Sequence, residues 1–190
     1  MLHQKKLTLA LMALAIASGT CAQTALPDDG FHGFVTTGQF RKNSNSAYGG
    51  GTALVAIAGL GYDFNKHLGL EIGQMLNSRL RVGYGNSTYD LQAEGTVFNV
   101  IGKYPLNETY KLFASVGAIA YSSSTTVTSG GSTTQWSDSK TLASYAFGGE
   151  MALDRRSSIR LQYFTTSKAE YSGGVQEWFD GLQATFIARF

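Results

Sequence analysis

With one cysteine, two prolines and three histidines among 190 residues, the chain has few residues for a covalent framework or a metal site. The cysteine, Cys21, lies in the opening MLHQKKLTLALMALAIASGTCAQTA. This segment has a basic start at Lys5 and Lys6, an apolar stretch from Leu7 to Ile16, and small residues after it. That order reads as a secretory signal peptide. The apolar stretch is shorter than the roughly 20 residues that a helical anchor needs. Cleavage is expected after Ala22, with Thr20 at the −3 position, giving a signal peptide over 1–22 and a barrel domain over 23–190. Ser18 and Thr20 fit poorly with acylation at Cys21.

Cleavage removes Lys5 and Lys6, leaving 13 basic residues against 13 acidic ones and no cysteine. A disulfide framework, a cysteine-based metal site and a net basic field for nucleic acid are all excluded. No cofactor and no nucleic-acid partner are expected. A long apolar run is lacking as well. If the mature chain crosses a membrane it does so as a closed sheet, the other form that satisfies every backbone group in lipid.

What the chain does have is 23 glycines, many aromatics and two-residue alternation, with no long helical period. The last segment, LQATFIARF, sends Leu182, Ala184, Phe186, Ala188 and Phe190 to one face, and Gln183, Thr185, Ile187 and Arg189 to the other. Seven further extended segments precede it: Phe31 to Phe40, Ala53 to Phe64, one from Leu68, Asp90 to Tyr104, and those around Leu112–Ala120, Tyr145–Leu153 and Ile159–Tyr163. Most carry an apolar stripe opposite a polar one, as lipid-facing barrel strands do. Gln74 interrupts the stripe of the third segment, and the first half of the fourth is ambiguous.

The connections alternate. DFNKH, PLNETY and LDRRS are short, whereas RKNSNSAYGGGT, RLRVGYGNSTYD, SSTTVTSGGSTTQWSDSKT and TSKAEYSGGVQEW are long and polar. Short turns on one rim and long loops on the other predict an all-β protein, an eight-stranded antiparallel up-and-down transmembrane β-barrel in a bacterial outer membrane, with both termini periplasmic. The competing soluble architecture, a lipocalin-like barrel, would turn its apolar faces inward around a ligand.

Four charges inside the strands bear on that choice. Glu71, Lys103, Glu150 and Arg160 each lie opposite their strand's apolar stripe, so a lipid-facing stripe places all four in the lumen. Two acids and two bases can neutralise each other there, and breaking a pair would cost about 3 to 5 kcal/mol, less in a hydrated lumen. A lipocalin core needs no such plug.

GYDFNKHLGLEIG, VIGKYPLNETYKLFASVG, FGGEMALDRRSSIRLQY and the terminal FIARF, in this order from about Ala53 to Phe190, resemble successive parts of the OmpA-type transmembrane barrel family. The resemblance implies that Phe186 and Phe190 belong to an assembly signal read by the barrel assembly machinery. It also implies that Glu71 pairs with Arg160 and Lys103 with Glu150. In such a gate Arg160, held by Glu71, blocks the lumen, and a swing toward Glu150 opens a narrow ion path. Plugging and rigidifying the barrel is the other role open to these charges. The family's arginine on strand five and glutamate on strand seven are replaced here by Ser115 and Gln162, and the family's peptidoglycan-binding domain is not expected.

The expected molecule is therefore a monomer among outer-membrane lipid and lipopolysaccharide, structural and with restricted ion passage. The alternative is an adhesin of OmpX or Ail type that meets a host or matrix ligand through its loops, above all around Thr125–Lys140 with Trp136 as a contact. An enzyme is not expected. Lipid A-modifying enzymes of this architecture use a histidine near the outer leaflet, whereas His32 and His67 fall near the periplasmic rim.

Overall fold

The computed structural model describes residues 29–45, 51–84, 87–170 and 174–190; the side chains of 77–84, 87–89, 91, 125 and 136 fall outside that description. The segment expected to be a signal peptide, 1–22, likewise lies outside the described residues. Alternation of apolar and polar residues produces eight long strands: β1 (Gly30–Ser44), β2 (Gly51–Asn65), β3 (Leu68–Tyr84), β4 (Ser87–Pro105), β5 (Tyr110–Ser129), β6 (Ser132–Ala152), β7 (Ser157–Thr166) and β9 (Gln176–Arg189). A two-residue β8 (Ala169–Glu170) pairs with β9 in the last connection. Each long strand pairs antiparallel with the next, and β9 returns to β1 from His32↔Arg189 to Ser44↔Glu177. The sheet closes into an eight-stranded barrel, which removes the edges a membrane would not tolerate.

The faces are inverted relative to a soluble protein. Leu54 is 75 % exposed and Leu182 70 %, and Leu60, Ile72, Phe98, Leu112, Phe147 and Leu161 are exposed too, while Glu71, Lys103, Glu150 and Arg160 are buried. An apolar coat around an interior that holds buried charges is the solvation pattern of a lipid-facing barrel, whereas a lipocalin's exterior would be polar. Phe31, Tyr62 and Phe64 stack edge to face at the rim carrying the termini. Toward the other end of β1, Arg41 on the outer surface pairs with Asp180 at 2.8 Å. Between Phe31 and Arg41 the strand rises roughly 34 Å, or roughly 25 Å at a 40° tilt, the height of a lipid-facing band. Gln74 does face outward, and it accepts a hydrogen bond from Thr96 Oγ1 at 3.0 Å. That cross-strand bond satisfies its carbonyl where lipid cannot.

The two rims differ in construction. At the terminal rim each short turn rests on one Asx side chain. Asn65 Oδ1 accepts the amides of His67 and Leu68, Asn107 Oδ1 those of Thr109 and Tyr110, and Asp154 Oδ1 those of Arg156 and Ser157. At the opposite, hairpin rim, two of the segments expected as loops are largely strand. β3 and β4 pair as far as Tyr84↔Ser87, and β5 and β6 as far as Ser129↔Ser132, closed by Gly130 (φ 57°) and Gly131 (φ 84°). Two successive positive-φ residues make the tight hairpin turn whose twist matches its strands, and the Thr-rich flanks favour extended backbone.

Candidate functional site

The lumen is filled in tiers. Nearest the terminal rim is a charged cluster, and Arg160 is its centre. Arg160 lies directly opposite Glu150 in the β6–β7 ladder, and its NH2 and Nε donate to Glu150 Oε2 at 3.1 and 3.3 Å. Its NH1 crosses the lumen to Glu71 on β3 at 3.0 and 3.2 Å, and the guanidinium lies 4.7 Å from the ring centre of Phe113. Glu150 Oε1 accepts in addition from Ser158 Oγ and from Arg189 NH2, each at 2.9 Å. A guanidinium shared by two carboxylates, in charge-assisted bonds at a fixed fork geometry, holds opposite walls of the barrel together.

Two expectations are corrected here. Lys103 pairs with Asp63, not with Glu150: its Nζ donates to Asp63 Oδ1 at 2.6 Å. The reason is reach. Strand β2 continues through Asp63 to Asn65, and Gly69, the ladder partner of Asp63, has no side chain in the carboxylate's way. Nor does Arg160 choose between Glu71 and Glu150; it holds both at once. Thus the two separate pairs expected become a joined network, which also includes His32 and Arg189. Asp63, His32 and Arg189 were legible by parity, since each lies on the inward side of its strand's alternation. Asp63 opens the segment DFNKH, which has the composition of a turn, and His32 and Arg189 stand at strand ends, where parity places a side chain in the lumen without showing which partner it meets.

Above the charges is a neutral polar tier. Thr36 and Thr185 hydroxyls meet at 2.8 Å, Gln162 Nε2 donates to Gln183 Oε1 at 2.7 Å, and Ser144 Oγ donates to Asn99 at 3.3 Å. Gln162 and Ser115, the replacements noted in the sequence, face one small cavity here with Asn99 and Gln183. Farther toward the hairpin rim the interior becomes apolar. Val55, Ile57, Met75, Val97, Ile119, Tyr121 and Leu142 pack together, with Phe40 and Phe179 against them, and Phe179 meets Phe40 at 4.9 Å and Tyr121 at 5.4 Å between ring centres. The ion pair of Lys42 and Glu177, at 2.9 Å, stands at the mouth beyond.

A closed eight-stranded barrel with inverted faces and a charged interior is a specific combination, and a family model agrees with it. The OmpA-like transmembrane domain matches residues 28–179. The chain belongs to this family. In OmpA- and OmpX-type barrels, as in others of eight strands, the interior is just wide enough for side chains to fill. Among solved structures, Ail, the attachment invasion locus protein of Yersinia pestis, superposes with a TM-score of 0.58 at 16 % identity, covering 85 % of this chain and 99 % of that one. Ail in complex with the heparin analogue sucrose octasulfate gives 0.54 at 15 % identity, over 83 % and 98 %. Neisserial surface protein A gives 0.61 at 14 % identity, over 83 % and 97 %. These likenesses show a shared fold. No curated protein matches by sequence. The protein is an outer-membrane β-barrel of the OmpA-like family.

The remaining expected site residues are dispersed. Phe190 is exposed at the terminal rim, with its amide donating to Phe31 O at 3.1 Å, and Phe186 pairs with Val35 and Ile159 on the outer face. Trp136 is within β6, not in a loop, and its side chain lies outside the described part.

Proposed function

We propose that this member of the OmpA-like family is a sealed barrel that serves the envelope structurally and raises a sheet from the cell surface, with the termini and short turns in the periplasm. The apolar tier carries this reading. An ion freed to pass Arg160 and the neutral polar tier would then meet Ile119, Leu142, Tyr121 and Phe179, packed side chains that offer no replacement for its hydration shell. The charged cluster then works as a brace between opposite walls, and Phe186 and Phe190 as the segment recognised during assembly. In planar bilayers both the wild type and Arg160→Ala are expected to stay at near-zero conductance; opening by Arg160→Ala would restore the gate reading.

A second reading has its own observation. The β6–β7 register stops at Ser144↔Thr166, while β6 runs on to Ser132 in the sheet formed with β3, β4 and β5. Those residues add roughly 40 Å of strand. Among the described residues, the outer edge from Ser132 to Ser139 has no ladder partner. An open edge of this kind accepts an extended segment of another protein. The complex of Ail with a heparin analogue makes a sulfated polysaccharide the other probe to try. Cells carrying a deletion of Thr126 to Ser137 are expected to lose host-cell or matrix binding that the intact protein confers, and unchanged binding counts against this surface.

A further inference from the structure

On the outer face of β4, β5 and β6 the side chains change character at one step of the ladder. Phe98, Ala118 and Ala143 lie side by side as the last apolar row, and Thr96, Ala120 and Thr141 form the next. Gln74, bonded to Thr96, extends that row onto β3. Beyond it, as far as the turn, β5 and β6 place only Ser, Thr and Gln on this face, where a sheet face meant for bulk water would carry many charges. Hydroxyls meet across the strands, Ser122 with Ser139 at 2.9 Å and Thr128 with Thr133 at 3.4 Å. Beside the first pair a 260 Å³ cleft opens, lined on this face by Gln92, Glu94, Ser122, Ser124 and Ser137.

We propose that this face binds the saccharide of the lipopolysaccharide around the barrel, with a sugar ring seated in the cleft. The proposal rests on the placement of the hairpin rim at the cell surface. Position and chemistry carry it. The face continues the lipid-facing surface strand by strand in unbroken register, so it looks sideways over the membrane. Glu94 and Gln92 stand four and six residues past Phe98 on β4. That is roughly 10 to 16 Å higher at a tilt of about 40°, beyond the acyl chains and level with sugars attached to lipid. The serine hydroxyls and the Gln92 amide both donate and accept, while the Glu94 carboxylate accepts only. Such a set matches the hydroxyls of a neutral sugar ring, which also donate and accept. A phosphate or sulfate, an acceptor alone, would be repelled by Glu94.

The test offers the purified barrel in detergent micelles equal amounts of two lipopolysaccharides, one with a complete core and one cut back to lipid A and its innermost acidic sugars. Mass spectrometry of the bound lipid reads the ratio. The wild type is expected to prefer the complete form roughly fivefold, the worth of one or two net hydrogen bonds. Ser122→Ala combined with Ser124→Ala and Ser137→Ala should abolish the preference, whereas Ser123→Ala with Thr134→Ala, on the opposite face, should leave it unchanged. Equal binding of both forms by the wild type overturns the proposal whether or not the variants fold, and so does a folded triple variant that keeps the preference. Core saccharide freed from its lipid should compete poorly; full displacement at equal concentration overturns the lipid-attached source and assigns the face to sugars in solution. Thr133→Cys on intact cells, expected to react with a membrane-impermeant maleimide, reads the placement separately. No reaction overturns the placement and this proposal with it, while reaction beside equal binding overturns the saccharide alone.

Discussion

The two halves of the lumen are filled by opposite means. Toward the terminal rim, Arg160, Glu71, Glu150, Lys103, Asp63 and Arg189 satisfy one another through directed bonds. Toward the hairpin rim, Ile119, Leu142, Val55 and Phe179 fill the same cross-section by shape. A charge network depends on every member, because removing one partner leaves the others desolvated and unpaired. An apolar tier loses contacts in proportion to the volume removed. The charged half therefore supplies a brittle brace across the barrel, and the apolar half a tolerant seal.

The largest break in that comparison should come from Arg160→Ala, which strips Glu71 and Glu150 of their shared cation. Equilibrium unfolding in micelles or lipid is expected to show a loss of about 3 to 5 kcal/mol. A loss under 1 kcal/mol would mean that the lumen hydrates the two carboxylates and that the cluster is no brace. In the apolar half, Ile119→Ala should cost about 2 to 5 kcal/mol in the same assay, with the value set by how far neighbours collapse. The sharper contrast is in the remedy. A second substitution that refills volume, Leu142→Phe, should recover part of the loss at Ile119, whereas added volume beside Arg160→Ala should recover none.

The smallest effect belongs to the rim below both halves. Hydrogen bonds from the Ser157 hydroxyl and the Arg156 and Ser157 amides hold the Asp154 carboxyl below the usual aspartate range. A lowered value means that its contribution is present above about pH 4, the ordinary aspartate range, and is lost as the pH falls through the lowered value. Asp154→Ala is expected to cost about 1 kcal/mol at pH 7 and less in strong acid, where the wild type has lost the same bonds. An equal cost at pH 7 and at pH 2 would assign the effect to the turn backbone instead.

Much of the architecture could be read from alternation alone. The outward faces of Leu54, Leu60, Phe98, Leu112, Phe147, Leu161 and Leu182 follow from a period of two, and so do the inward positions of Glu71, Lys103, Glu150 and Arg160. The three Asx turns were also written in the chain, at Asn65, Asn107 and Asp154, each placed two and three residues before the amides it accepts. The hairpin beyond the barrel was harder to recognise, because Ser and Thr read as loop composition. Gly130 and Gly131 mark its turn only once the strands on either side are known to pair.

Parity in the sequence determined which side chains enter the lumen, since successive residues of any strand point to opposite faces. Who meets whom inside was decided by the closed barrel. Arg160 reaches Glu71 because β3 and β7 stand on opposite walls of an eight-stranded ring. Lys103 takes Asp63 because the register sets Gly69 beside it, and His32 crosses to Glu71 over Gly61. Those contacts depend on ring closure and stagger, which bring together residues as far apart as 71 and 160. Local periodicity carries no record of them.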